Sequence, residues 1–417
     1  MSTNETPVII VGAGLSGLCA AIHLQKRGYN VKLIEASDRV GGRVATDKKD
    51  GFLLDRGFQV LLTAYPEAKE MLDYQALNLK AFDPGALILH NGSLKRIGDP
   101  LRKPSSALPT LFSGVANPLD MIRLLKLRSK VLSGEPYSLL DQDAKSTATY
   151  LEELGFSKKI RQRFLHPFYQ GIFLEEALST SSAMFDFTFR MFAKGDAALP
   201  AAGMAAIPQQ LAERIGYPNI QLNTTVATFD GQSVTLDDGS TLTAQAVILA
   251  VDGWSPLRGS HRQNSASGGS TTCLYFSAPS LPFQHPLIGL KSAPKGLVSN
   301  IAVMDQVAPG YAPEGKHLIM VSLNNVPPGD DKVLFELSKQ ELLPWFGAKT
   351  MEWEGIACYR IPNALPNQQN VKSTIDASAL RLTDGVFLAG DHLLQGSING
   401  AMVSGRLAAE ALHTSMT

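Results

Sequence analysis

The stretch that most restricts the fold of this chain is VIIVGAGLSGLCAAIHLQKRGYNVKLIEAS, residues 8–37. Val8 to Val11 form a short, β-branched apolar run of the kind that makes a buried strand. Gly12, Gly14 and Gly17 follow, and Leu18, Ala21, Ile22 and Leu24 then recur at helical spacing until Gly28 stops the helix. Val31 to Ile34 read as a second strand. Strand, tight turn, helix and strand within about 30 residues make a βαβ unit, whose two strands lie parallel in one sheet. Each glycine has a mechanical reason: Gly12 permits the turn, Gly14 lets a pyrophosphate approach the backbone, and Gly17 lets helix and strand pack closely. Ala13, Leu15 and Ser16 lie between them, where the helix N-terminus offers free amides and a positive dipole end to phosphate.

Glu35 closes the second strand, near the ~20-residue spacing at which a carboxylate accepts hydrogen bonds from ribose hydroxyls. Its charge would repel a 2′-phosphate, which disfavours NADP and leaves FAD or NAD. DRVGGRVAT, residues 38–46, adds a second close-approach loop at Gly41 and Gly42, with Arg43 able to bring a guanidinium to a phosphate or a flavin. Together the two stretches closely resemble the opening of the flavin amine oxidase superfamily, which includes amine oxidases, protoporphyrinogen oxidases and phytoene desaturases. That resemblance implies FAD in an extended pose, with Ala36 and Arg39 joining Glu35 and the glycine pair around it. It also implies that LLDRGFQVLLTAYPE, residues 53–67, returns as a strand beside the flavin. Asp55, Gly57 and Gln59 then occupy family-like positions, with Phe58 and Gln59 near the isoalloxazine ring, unless Phe58 simply fills core.

From roughly Leu77 to Pro200 the pattern turns mainly helical, rich in proline and aromatics, and reads as the first part of an inserted domain. NPLDMIRLLKLRSKVL suggests a helix capped by Asp120, with Arg123, Lys126, Arg128 and Lys130 interspersed among apolar residues. Segment 118–132 is either a basic amphipathic helix able to lie on an anionic membrane or an ordinary surface helix. Phe164, Phe168, Tyr169, Phe173, Phe185, Phe187, Phe189 and Phe192 crowd one short span, as the lining of an apolar substrate tunnel or as plain core. His166, held before Pro167, reads as structural. Short β-rich segments with turns at Asp230-Gly231 and Asp238-Gly239 then form a meander, followed by the strand Val247 to Val251. A βαβ unit completed by such a meander is similar to the glutathione-reductase type of FAD domain, and that likeness has Val226 meeting the adenine through its backbone.

The expected architecture is therefore α/β. Residues 1–76, 201–260 and 371–417 form a discontinuous FAD-binding domain, and 77–200 with 261–370 an α+β substrate domain. At 417 residues the chain is long enough for two cores. Lys plus Arg and Asp plus Glu balance at 38 each, which argues against nucleic acid as a partner. Cys19, Cys273 and Cys358 are widely separated and show no metal-ligand spacing, as expected of a protein without metal in a reducing, cytoplasmic setting. The first residues lack the pattern of a signal peptide, and no apolar run nears the roughly 18 residues that span a bilayer. Oligomeric state leaves no signature.

No GxSxG, HExxH, paired-cysteine or P-loop motif stands out, so a flavin is expected to carry the chemistry. Lys291, Lys295, Trp353 and Tyr359 are candidates to face it from the second domain. The segment GVFLAGDHLLQGSINGAMVSGRLAAEAL, residues 385–412, reads as a strand over 386–389, a turn at Gly390-Asp391 and a helix starting near Ser397 or Asn399. Ala401, Gly405 and Ala408 share a helical face, expected to approach the sheet. The resemblance assigns Asp391 to the ribityl or pyrophosphate region and the amides from Ile398 to Ala401 to the flavin pyrimidine edge. Amine oxidases in that family carry an aromatic where this chain has Ser397. The expected substrate is therefore a small, mostly apolar molecule oxidised at a C–C bond, with a C–N oxidase or a non-redox flavoprotein as the alternatives.

Overall fold

The computed structural model describes residues 6–106, 110, 112–253, 255, 257, 268–292 and 296–417; Lys295 and most of the serine-rich loop before Gly269 lie outside them. The opening βαβ unit comprises β1 (Val8–Val11), α1 (Leu15–Gln25) and β2 (Val31–Ile34). β1 is sandwiched between parallel partners, β2 on one side and Ala246–Leu249 on the other, with Ile10 opposite Leu33 and Ile248. Ile220–Gln221 and Val386–Leu388 extend the sheet in parallel, and Arg381–Thr383 pairs antiparallel at its edge. Strand alternation decides what each side chain of β1 meets. Val8 and Ile10 point into the core shared with α1, whereas Ile9 and Val11 point at a three-stranded antiparallel sheet built from Val226–Phe229, Ser233–Leu236 and Thr241–Thr243. Burial on both faces explains the unbroken apolar run.

The last helix, Ile398–Met416, packs along α1. A Cβ on Gly405 would strike the Ser16 carbonyl and stand 3.0 Å from Cys19 Cβ. The small-residue face thus brings helix against helix, not helix against sheet as the sequence suggested.

A second, seven-stranded sheet runs Glu354–Leu365, Gly269–Ala278, His317–Asn324, Val298–Val303, Ile288–Lys291, Gly85–His90 and Ser93–Gly98 in spatial order. One face packs on helix Asp331–Phe346, around Phe276, Phe346 and Trp353. The other carries Tyr275, Ala302 and Met320 into the main core. The span after Leu77 is less helical than its composition suggests, because it supplies the edge hairpin. Asn91 and Gly92, at φ +47° and +70°, make the two-residue turn.

Helix Pro118–Leu132 begins three residues earlier than an Asp120 cap requires. Asn117 is the cap: its side chain accepts from the Asp120 amide, and Asp120 returns a bond to the Asn117 amide. Pro118 takes the first helical position, where a missing N–H costs nothing. Among the described residues no helix is long and apolar enough to cross a membrane, and no group of three or more His, Cys, Asp or Glu could hold a metal.

Candidate functional site

A cavity of about 1260 Å³ runs from the C-terminal edge of the parallel sheet to the helices facing the second sheet. That edge is where open α/β sheets bind ligands, because the strands' loops leave a crevice there. Gly12 has φ +102°, and a Cβ on it would lie 2.7 Å from the Ala250 carbonyl oxygen. A Cβ on Gly17 would collide with the Gly12 carbonyl. Both glycines are demanded by the protein's own packing.

Gly14 is different: it lines the cavity, and a Cβ there would meet no protein atom within 4 Å. It is also the N-cap of α1, with no side chain bonded to the helix end and no acidic residue in the first turn. Leu15 and Ser16 line the cavity beside it. This end is therefore shaped for an anion seated on backbone amides.

Around it the loops tie to one another. Gly41 N donates to Ala13 O at 2.8 Å, and Ala13 N donates to Glu35 Oε2 at 2.8 Å. Glu35 Oε1 accepts from the Ser37 amide and hydroxyl, so the carboxylate is fixed in position and keeps spare lone pairs for hydroxyl donors. Gly42, at φ +58°, closes against Gly14, and Arg39 donates to its carbonyl. Glu35, Arg39, Gly41 and Gly42 line the cavity, whereas Ala13 and Gly17 act from behind its wall. Ala36 and Val226 line an adjoining cavity of about 760 Å³ that shares Gly12 and Glu35.

Arg43, with Gly57, Phe58 and Gln59, continues the wall. Its Nη2 is 2.5 Å from Asp391 Oδ1, and its Nη1 donates to the Ala364 carbonyl at 2.9 Å. Burial opposes its charge, but the Asp391 carboxylate outweighs that and raises its pKa. Gln59 donates to Arg43 O, and its buried Oε1 has no hydrogen-bond partner among the described residues. Phe58 combines both readings, lining the cavity and packing edge-on to Phe82. Asp55 lies behind this strand, fully buried, accepting from Thr46, Met204 N and Tyr311. Burial pushes its carboxyl up to about 6, against those hydrogen bonds.

From the far end of the chain come Gly390 (φ +148°), Asp391, Ser397, Ile398 and Ala401, all on the wall. Ser397 caps the last helix through the Gly400 amide at 2.8 Å, and its carbonyl takes the Ala401 amide. The amides of Gly400 and Ala401 are therefore spoken for, which narrows the expected row of four to Ile398 and Asn399, the first-turn positions with no intrahelical acceptor. The Asn399 side chain is buried away from the cavity, accepting from Glu67 N and donating to Tyr137.

Two candidates from the second sheet do not reach the wall, for a reason of strand geometry. Ile288 and Leu290 line the cavity, so Lys291 emerges on the opposite face, where it pairs with Glu341 at 2.5 Å. Tyr359 lies beyond Ile361 along its strand, under the 46–55 hairpin, with its hydroxyl donated to Asp47 at 2.8 Å. Trp353, 2% exposed, is core on the outer face. Sequence reasoning also passed over Tyr65, which is buried and lines the cavity together with Ser397. Its one signal is its place at the end of the returning segment.

The opposite end is hydrocarbon. Phe164, Phe168, Tyr169, Phe173, Phe189 and Phe192 line it, while Phe185 and Phe187 are fully buried core and His166 lies off the wall. The charges at this end are paired: Arg128 with Asp99 at 3.0 Å, Arg102 with Asp196, and Asp83 with Lys103 at 2.8 Å. The cavity exceeds the roughly 300–1,000 Å³ of a usual small-molecule site, leaving room for a dinucleotide and a second molecule. Open Gly14, the uncapped helix end, the tethered carboxylate of Glu35 and the orphan Gln59 oxygen together fit a dinucleotide with hydrogen-bonding edges.

A family model for flavin containing amine oxidoreductases matches residues 15–413. Among curated relatives, protoporphyrinogen oxidase 2, chloroplastic/mitochondrial, of Arabidopsis thaliana is 28% identical over 164 residues, 39% of this chain and 32% of the relative. The match thus spans about a third of that relative's length. Among solved structures, a putative protoporphyrinogen oxidase from Exiguobacterium sp. 255-15 superposes with a TM-score of 0.72 at 18% identity, covering 99% of this chain and 100% of that one. Cyclohexylamine oxidase from Brevibacterium oxydans IH-35A gives 0.69 at 19% identity, covering 99% of each chain. Both likenesses establish a shared mixed α/β fold with several sheets.

Proposed function

The chain belongs to the flavin containing amine oxidoreductase family and is an FAD-dependent oxidoreductase, and from that premise we propose that it oxidises a mostly apolar organic substrate at a carbon–carbon bond. The observation that carries this is the uncharged aromatic wall from Phe164 to Phe192. It offers a large apolar surface and no unpaired charge to meet an ammonium. Bound FAD would supply the hydride acceptor, its N5 atom.

The chain's own residues divide the remaining work. The α1 amides, Gly14 and the Gly41-Gly42 loop would hold the pyrophosphate, and Glu35 the ribose hydroxyls. Ala36 and Val226 would flank the adenine. Arg43 and Asp391, with the Gln59 oxygen and the Ile398 and Asn399 amides, would hold the polar half of the flavin, the helix end favouring negative charge there. Phe58 and Tyr65 would keep water from the reacting carbon. In this reading residues 1–76, 201–260 and 371–417 form a glutathione-reductase-type FAD domain, and 77–200 with 261–370 an inserted substrate domain.

Helix Pro118–Leu132 supports delivery from a lipid surface. Leu119, Ile122 and Leu125 are 60%, 49% and 50% exposed, basic residues flank them, and the helix's one acid, Asp120, is buried. Leu101 and Leu125 are both exposed and on the cavity wall, so the apolar patch adjoins the mouth. Peripheral docking on anionic vesicles is the expected behaviour.

A second reading, oxidation of an amine at a C–N bond, draws support from Tyr65, an aromatic standing beside Ser397 where the sequence alone offered none. Anaerobic mixing of the purified flavoprotein with a polyene, a porphyrinogen and a primary amine separates the two. Bleaching of the flavin by the first or second supports the C–C reading; bleaching by the amine alone overturns it.

A further inference from the structure

Most of the far wall is hydrocarbon, which sets one residue apart. Asn300 lies on the strand Val298–Val303, on the face that carries Ala302 inward, while Ile301 and Val303 face helix Asp331–Phe346. It lines the cavity, is 2% exposed, and its Oδ1 has no hydrogen-bond partner among the described residues. Leu290 and Ser322 stand beside it in register on the adjacent strands, and both line the cavity. The Ser322 hydroxyl is turned to the Met320 sulfur at 3.3 Å, a weak acceptor. Above the amide, helix His166–Phe173 presents Gly171, where a Cβ would stand 3.1 Å from Asn300 Nδ2. The missing side chain leaves the amide room to be approached.

A buried amide oxygen left without a donor destabilises a fold, and leucine at the same position would not. Native structures retain few such groups, and each calls for an explanation. Resting on the apolar-substrate reading above, we propose that Asn300 anchors a neutral hydrogen-bonding group, a hydroxyl or a carbonyl, on an otherwise apolar substrate. An amide can donate to or accept from such a group. Leu290, Ser322 and Gly171 supply no charge to balance a carboxylate or an ammonium at this spot. The substrate is thus neither a bare hydrocarbon nor an ion at its anchored end, and Asn300 determines specificity without touching the reacting carbon.

The test uses the flavin-loaded protein and two retinoids that differ by one oxygen, retinol and its hydrocarbon axerophthene. Retinol is expected to bind about tenfold more tightly, the value of one well-made hydrogen bond. N300L should reduce that preference to about twofold or less with flavin content unchanged, and should raise Tm by roughly 1–3 °C because the orphan amide is gone. G171A, which crowds the amide without removing it, should also weaken the preference. N300S serves if the leucine variant does not fold, and should keep part of it. Equal binding of the two retinoids by the wild type, or an undiminished preference in N300L, overturns the proposal. If neither retinoid binds, the apolar-substrate reading fails, and the thermal result alone decides for Asn300: a rise in N300L retains the orphan amide as a site, and a fall means the amide is satisfied within the protein and overturns it.

Discussion

At the end beside the parallel sheet the cavity wall is largely main chain: glycines at positive φ, the open start of α1, and carbonyls and amides exchanged between loops, with Glu35, Arg39, Arg43 and Asp391 among its charged side chains. At the other end it is almost all side chain, drawn from the helices over 158–194 and from alternate residues of the second sheet. The contrast teaches where specificity can change. A main-chain wall recognises a group common to many reactions and tolerates no added bulk, whereas an apolar side-chain wall can be reshaped residue by residue with the fold intact.

The largest expected effect tests the main-chain end. G14V adds bulk where no protein atom lies within 4 Å, so the fold should survive while FAD retention falls roughly 10- to 100-fold. A Tm of the apoprotein that drops with flavin content would make Gly14 a packing residue and erase the contrast. Next, E35A removes a charged acceptor and leaves the Ala13 amide without its partner; about tenfold weaker FAD binding is expected by ultrafiltration, and unchanged affinity would remove Glu35 from the site. At the opposite end F168A should raise KM several-fold with the flavin spectrum untouched, since Phe168 lies on the apolar wall among aromatic neighbours and aliphatic core residues. Loss of flavin in that variant would show the two ends to be one. The last test is at the mouth: K126E should weaken sedimentation with anionic vesicles about fivefold or more, and equal sedimentation would detach the helix from any lipid role.

The same contrast explains how legible the molecule was. The βαβ unit could be read because its elements are contiguous and its glycines answer to local geometry, so Gly12, Gly14 and Gly17 carry their reasons in their spacing. The meander over 226–243 was legible from its short β-rich segments and the turns at Asp230-Gly231 and Asp238-Gly239. The hairpin over 85–98 went unread although Asn91-Gly92 follows the apolar run 86–89, because the returning strand SLKRIG is mostly polar and exposed and neighbouring prolines and aromatics dominated the composition. Asp120 was mistaken for the cap it supports, since a capping box has two polar ends and only Pro118 tells which comes first.

The far wall was harder for a different reason. Whether Leu290 or Lys291 faces the cavity depends on which face of a seven-stranded sheet is inward, a fact held by strands distant in sequence. The nearness of Tyr65 to Ser397 and the isolation of Asn300 have no local signature either. Both are properties of segments that meet only in the fold.

The Arg43–Asp391 pair joins residues 348 apart in sequence. A ribosome adding about 5–20 residues per second needs roughly 20–70 s to cross that distance. During that interval the glycine loops have emerged, but the strand Val386–Leu388 and the last helix that complete the wall have not. The nascent chain must therefore wait, with the crevice of its first βαβ unit open on one side, and on the proposed assignment of this wall cofactor capture becomes one of the last events in the protein's biogenesis.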